Sequence, residues 1–109
     1  MFNFDNLEHT DLHFGLVMHG YLSVKNEGDH IFFTASNDGS KLLIDNIEVV
    51  NNDGAHAVIE KSGKVYLDKG NHLIEVRYFQ SGGGKEIKVS WEGPGFIKRE
   101  ITSEDLSGN

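Results

Sequence analysis

The chain has 109 residues and a mass of 12.2 kDa, enough for one domain and too little for two. Its 38 % apolar content excludes wholesale disorder. Ten Lys and Arg against 17 Asp and Glu give a net charge of −7, which argues against a phosphate-backbone partner.

The longest apolar run, Phe14 to Met18, falls far short of the roughly 20 residues that span a bilayer. No Lys/Arg-rich amphipathic helix offers a membrane-surface anchor. The start of the chain does not read as a secretory leader. With no Cys there are no disulfides, thiolate zinc sites or Cys nucleophiles, and the redox compartment stays open.

Residues 1–13 carry little patterning and read as an irregular lead-in. Beyond them, 16 Val and Ile against 3 Ala favour strands over helices. Strands are expected in chain order at about 19–25, 30–36, 41–45, 47–50, 56–60, 64–67, 72–79 and 85–91. Period-two alternation supports several of them: Leu42 and Ile44; Ile74, Val76 and Tyr78; and Ile87, Val89 and Trp91 each share one face. Turns fall at Asp45-Asn46, Asn51 to Gly54, Ser62-Gly63, Asp68 to Asn71 and Gly82 to Gly84, where Asn, Asp and Gly tolerate positive φ. Thr102-Ser103-Glu104-Asp105 can start a helix, but Gly108 limits it to about one turn. The pattern predicts an all-β protein, an antiparallel β-sandwich or barrel of about 8 short strands.

Enzyme motifs fail on inspection. Gly82-Gly83-Gly84-Lys85 looks like part of a phosphate-binding loop, but the first Gly of that motif is replaced by Phe79 and its Ser/Thr by Glu86. A hairpin loop is the ordinary reading. There is no Gly-x-Ser-x-Gly elbow. His9 and His13 have i, i+4 spacing without the Glu of a zinc helix. His30, His56 and His72 lie on separate strands and read as surface or half-buried strand residues. Trp91 continues an inward alternation and reads as core, with Phe32, Phe33, Tyr66, Tyr78 and Phe79 core or half-buried. Tyr21 and Phe96 are the better surface aromatics. Ser36-Asn37-Asp38-Gly39-Ser40 offers oxygen ligands and a turn-forming Gly between two strong strands. That chemistry suits a hard cation such as calcium and suits an Asx-type hairpin turn equally. Asn51-Asn52-Asp53-Gly54 carries the same two readings.

Taken together, residues 14–106 resemble the protective-antigen (PA-14) domain family, with 107–109 as a tail. Gly20-Tyr21-Leu22-Ser23-Val24 resembles its Gly-Tyr-Ile strand. Ser36-Asn37-Asp38-Gly39-Ser40-Lys41-Leu42-Leu43-Ile44-Asp45 is similar to its Ser-Asp-Asp-Gly-Ser-x-Leu-x-Ile-Asp signature. Asn51 to His56, Gly63 to Leu67, Lys69 to His72, Val76 to Phe79 and Val89 to Gly95 follow in the family order.

The resemblance implies an antiparallel β-sandwich and a non-catalytic carbohydrate-binding accessory module, cut from a larger secreted or surface protein. It implies an extracellular, cell-surface or periplasmic location and, as partners, a glycan or neighbouring domains of a parent chain. The alternative is a structural or protein-interaction module with no sugar site. In the yeast adhesins of this family a pair of Asp residues holds calcium, and an Asn from a second loop completes the site. Carried over, the ligand-binding positions are Asn37, Asp38, Gln80, Ser81, Gly82 and Gly83, with Asn37, Asp38 and Gln80 as metal ligands. Asn37 removes one negative charge and Gln80 is longer than Asn, so the expected cofactor is Ca2+ bound weakly or not at all. Family domains also carry an extra strand before Phe14. Residues 1–13 would then be a truncated first strand, leaving an unpaired edge.

Overall fold

A computed structural model describes residues 8–12, 15–37, 39–52, 59–79 and 86–107. These form two packed antiparallel sheets. The strands are β1 (Glu8–Leu12), β2 (Gly15–Val24), β3 (Gly28–Asn37), β4 (Ser40–Ile44), β5 (Ile47–Asn52), β6 (Ile59–Leu67), β7 (Gly70–Phe79), β8 (Glu86–Gly93), β9 (Phe96–Glu100) and β10 (Leu106–Ser107). The first sheet has the order β1-β2-β7-β4-β5, with β10 also on β2; the second is β6-β3-β8-β9. The antiparallel sandwich expected from the pattern is present.

The alternation explains the core. Met18, Leu22 and Val24 of β2, Leu42 and Ile44 of β4, and Ile74, Val76 and Tyr78 of β7 face inward from the first sheet. Phe32 of β3, Leu67 of β6, and Ile87, Val89 and Trp91 of β8 face them from the second. Ile101 and Leu106 close the edge. Each fully buried large side chain is worth about 1.5–3 kcal/mol of transfer free energy, so this layer supplies the main drive to fold. Trp91 is core, as its alternation predicts. Its ring packs on Phe96 at 4.8 Å, His30 at 5.6 Å and Phe32 at 5.8 Å.

Several expectations are corrected. Of the two readings of residues 1–13, lead-in or first strand, the described residues 8–12 form a strand: β1 pairs with β2 from Glu8↔His19 to Leu12↔Gly15. Of the strands expected at 56–60 and 64–67, residues 56–58 lie outside the described residues and the rest run as one strand, β6, with Ser62-Gly63 a mid-strand pair opposite Phe33 and Phe32 rather than a turn. The reason lies in the neighbouring strand. A register shift in β4–β5 leaves Val49 as a bulge between Val50 and Glu48. A Cβ at Gly63 would lie 1.8 Å from the Val49 carbonyl oxygen. Glycine therefore lets the two sheets approach along this edge. His30 is fully buried, not surface or half-buried, with Nδ1 2.9 Å from the Gly28 carbonyl. Tyr66 is 55 % exposed, because it stands on the outward parity of the edge strand β6.

The Asp45-Asn46 hairpin is as expected. Both residues have positive φ, 52° and 68°, the backbone that a two-residue turn matched to strand twist requires. The expected short helix is a single 3-10 turn, Ser103–Asp105. Asp105 accepts from Arg99 Nη1 and Nη2 at 2.8 and 2.9 Å and from the Thr102 N–H at 2.9 Å. This clamp seats β10 against β2 and ties it to β9.

Candidate functional site

The strand register decides what can meet at each end of the sandwich. Asn37 ends β3 and lies opposite Glu86, which opens β8. Ser40 opens β4 and lies opposite Tyr78, next to the end of β7. The β3–β4 and β7–β8 connections thus both cross from one sheet to the other, side by side, at one end of the molecule. Those connections carry Asn37-Asp38 and Gln80 to Gly83. Asp38, Gln80, Ser81, Gly82, Gly83 and the side chain of Asn37 lie outside the described residues, so the structure gives the position of their strand ends and no geometry for the groups themselves.

Beneath the two connections is a buried polar layer. Ser36 Oγ and Ser40 Oγ share a hydrogen bond of 2.8 Å, and Ser40 Oγ donates to Thr34 Oγ1 at 3.1 Å. Asn52 Nδ2 donates to the carbonyls of Thr34, at 3.1 Å, and Ile59, at 2.7 Å. All four side chains are buried. A buried polar group without a partner is costly, so this network is satisfied internally. It joins β3 to β4, β5 and β6 at the level where the connections leave. Ser36 and Ser40, read from sequence as oxygen donors of the loop, are turned inward as braces. Asn52, read as part of a polar turn, is a buried cross-strand tie. The signal was present in the strand parity: His30, Phe32, Thr34 and Ser36 share the inward face of β3.

The perturbed titratable groups among the described residues sit at the opposite end. Burial works against the His72 imidazolium, but Asp45 Oδ2 at 2.6 Å and the Asp68 carbonyl at 2.7 Å outweigh it and hold the group above its ordinary value. Burial likewise pushes the Asp105 carboxyl up, and the Arg99 fork and the Thr102 N–H more than offset it, leaving it below the usual range. The hydroxyl of Tyr66 donates to Glu27, which with neighbouring acids pushes it up to about 12. The pairing with Asp105 also raises Arg99. Each shift has a local ion-pair or hydrogen-bond cause, and Tyr66, His72 and the Arg99–Asp105 pair rest on separate partners. Among the described residues no group of three or more His, Asp or Glu is placed to hold a metal ion. No helix of the described residues is long and apolar enough to cross a membrane.

Two antiparallel sheets with adjacent cross-sheet loops at one end define an all-β sandwich module. The chain belongs to the PA14 domain family, whose family model matches residues 4–105. Among solved structures it is similar to an anti-sigma factor domain-containing protein, at 26 % identity and a TM-score of 0.82 over 99 % of this chain and 39 % of that one. It is also similar to the PA14 sugar-binding domain from an RTX adhesin, at 20 % identity and TM-score 0.77, covering 87 % of this chain and 54 % of that one. The PA14 domain of the MpAFP antifreeze protein aligns at 18 % identity and TM-score 0.76, over 86 % of this chain and 51 % of that one. The chain therefore spans about two fifths to a half of these relatives. No curated protein matches it.

Proposed function

We propose that this domain is a non-catalytic carbohydrate-binding module of a larger extracellular or cell-surface protein, with the sugar held between the β3–β4 and β7–β8 connections. The observation that carries this reading is the register that delivers both connections to one end, Asn37 opposite Glu86 and Ser40 opposite Tyr78. The family membership and the sugar-binding domain among the structural relatives support it. Asp38 would accept hydrogen bonds from sugar hydroxyls, or would ligate a calcium ion that the hydroxyl oxygens coordinate. Asn37 and Gln80 reduce the charge and change the reach of that ion site, so calcium would be held weakly or not at all.

A glycan array of the purified chain, run with calcium and again with chelator, tests this. Binding lost with chelator, and lost in Asp38→Ala with the far-UV spectrum intact, is the expected result for an ion-bridged site. Binding that survives chelator moves the site to direct contacts from residues 80–83. Binding unchanged in Asp38→Ala removes Asp38 from the site. Binding to no glycan under either condition favours the second reading, a protein-interaction module. That reading is motivated by the edge strand β9, where Ile97 is 85 % exposed.

A further inference from the structure

At the end of the sandwich opposite the cross-sheet loops, a cleft of about 220 Å³ lies between the end of β2 and the β8–β9 hairpin. Lys25 and Asn26 line it from the first side, Trp91, Phe96 and Arg99 from the second, and Asp105 from the 3-10 turn. Its volume is below the roughly 300–1,000 Å³ of a drug-sized pocket. It therefore has room for one small ring-sized unit and not for an oligomer.

The polar groups of the cleft are mostly donors. Lys25 makes no ion pair among the described residues. Two of the five N–H donors of Arg99 go to Asp105, and the guanidinium is held 5.0 Å from the Phe96 ring and 5.8 Å from the Trp91 ring. The remaining N–H groups of Arg99 have no hydrogen-bond acceptor among the described residues. Asn26 Nδ2 is occupied by the Pro94 carbonyl. The acids nearby are already engaged. Asp105 is saturated by Arg99 and Thr102, and Glu27 accepts from Tyr66. Glu104 is close enough to act on Arg99 but does not line the cleft. In a chain of net charge −7, the lining carries Lys25 and Arg99 against the single carboxylate of Asp105, one net positive charge, and Arg99 keeps N–H groups that Asp105 does not use; this makes the cleft a local anion-accepting surface. The Trp91–Phe96 pair gives it an apolar wall.

We propose that this cleft binds an acidic monosaccharide unit, its carboxylate on Lys25 and Arg99 and its ring against the Phe96 side of the apolar wall. The anion preference comes from the cleft alone. The choice of a sugar as the carrier rests on the glycan-binding reading above. Arg99 is pre-oriented, because Asp105 fixes its fork before any ligand arrives. Lys25, on the exposed turn after β2, supplies a movable charge.

Trp91 is the only Trp of the chain, so its emission reports on this cleft and not on the loops at the other end. The test is a titration of the 109-residue chain with methyl glucuronide and, separately, with methyl glucoside, followed by that emission. A saturable change with the glucuronide and none with the glucoside over the same range is expected. Lys25→Gln, a change on an exposed turn, weakens the response about tenfold or more, since a charge-assisted contact is lost. Raising the salt weakens the wild-type response and moves it toward that of Lys25→Gln. No saturable change, an equal response to both sugars, or full retention in Lys25→Gln each overturns the proposal. An array on which Asp38→Ala changes nothing, with the emission response intact, sinks the loop reading and leaves the cleft standing.

Discussion

A Cβ at Gly63 would sit 1.8 Å from the Val49 carbonyl oxygen and 2.8 Å from its carbon, both backbone atoms of a bulge that no rotamer change can move. Gly93 presents a softer case. There the added atom meets the His30 ring at 2.4 Å, a side chain that can tilt at the expense of its stacking on Trp91. Over-packing a well-filled interior costs about 1–3 kcal/mol and more where the backbone must shift. Gly63→Ala is therefore expected to lose about 3 kcal/mol or more, and Gly93→Ala less. For a domain of this size the first loss lowers Tm by roughly 10–20 °C. Thermal unfolding followed by circular dichroism checks both. A Gly63→Ala protein that melts within a few degrees of wild type would mean that β5 and β6 separate freely, and that the bulge does not lock the two sheets together.

Elements differ in how much of them the residues announce. Strands β4, β7 and β8 are legible because one parity is apolar throughout: Leu42 and Ile44, Ile74 to Tyr78, Ile87 to Trp91. Strand β6 is not, since Gly63 reads as a turn until Val49 is known to press on it. Strand β9, Phe96–Glu100, shows no clean alternation because the β8–β9 pairing shifts register between Trp91 and Gly93. Its place is fixed by the Arg99–Asp105 clamp, a contact made only once the chain has folded. The loops of the proposed sugar site were legible as a motif, Asn37-Asp38-Gly39. The buried braces under them were hidden, because Ser36, Ser40 and Asn52 look like surface polar residues unless strand parity is applied to them. The clamp itself is testable. Asp105 is nearly buried and receives four donors, two from Arg99 and two from Thr102. Asp105→Asn keeps the shape but loses the charge that holds the Arg99 fork. A cost of about 1–2 kcal/mol is expected, with faster amide exchange at Ile101 and Leu106 than in the rest of the core. Uniform exchange across the domain would show that the 3-10 turn does not anchor β10 independently.

For the molecule as a whole, pH dependence follows from two shifts of opposite sign. The folded state raises His72 above its ordinary value of 6.5. Stability from that group is complete below about pH 6.5 and is lost as pH rises through the folded value. Asp105 is held below its ordinary value of 3.8. Its contribution is complete above about pH 3.8 and is lost as pH falls through the folded value. The net charge of −7 at pH 7 shrinks toward a pI near 5.2, which removes self-repulsion over the same acid interval. All three effects place the greatest stability between about pH 4 and 6.5. The His72 part can be separated from the rest. His72 joins the start of β7 to the β4–β5 hairpin through Asp45 and to the β6–β7 connection through the Asp68 carbonyl. His72→Gln removes its charge, while Asp45 Oδ1 still accepts from the Leu73 N–H. The variant should melt well below wild type at pH 5 and close to it at pH 9, because wild type has by then lost the imidazolium. Melting curves at half-unit steps from pH 4 to 9 measure this convergence. Parallel curves for the two proteins across that range would assign the His72 contribution to packing and remove the ion pair from the account.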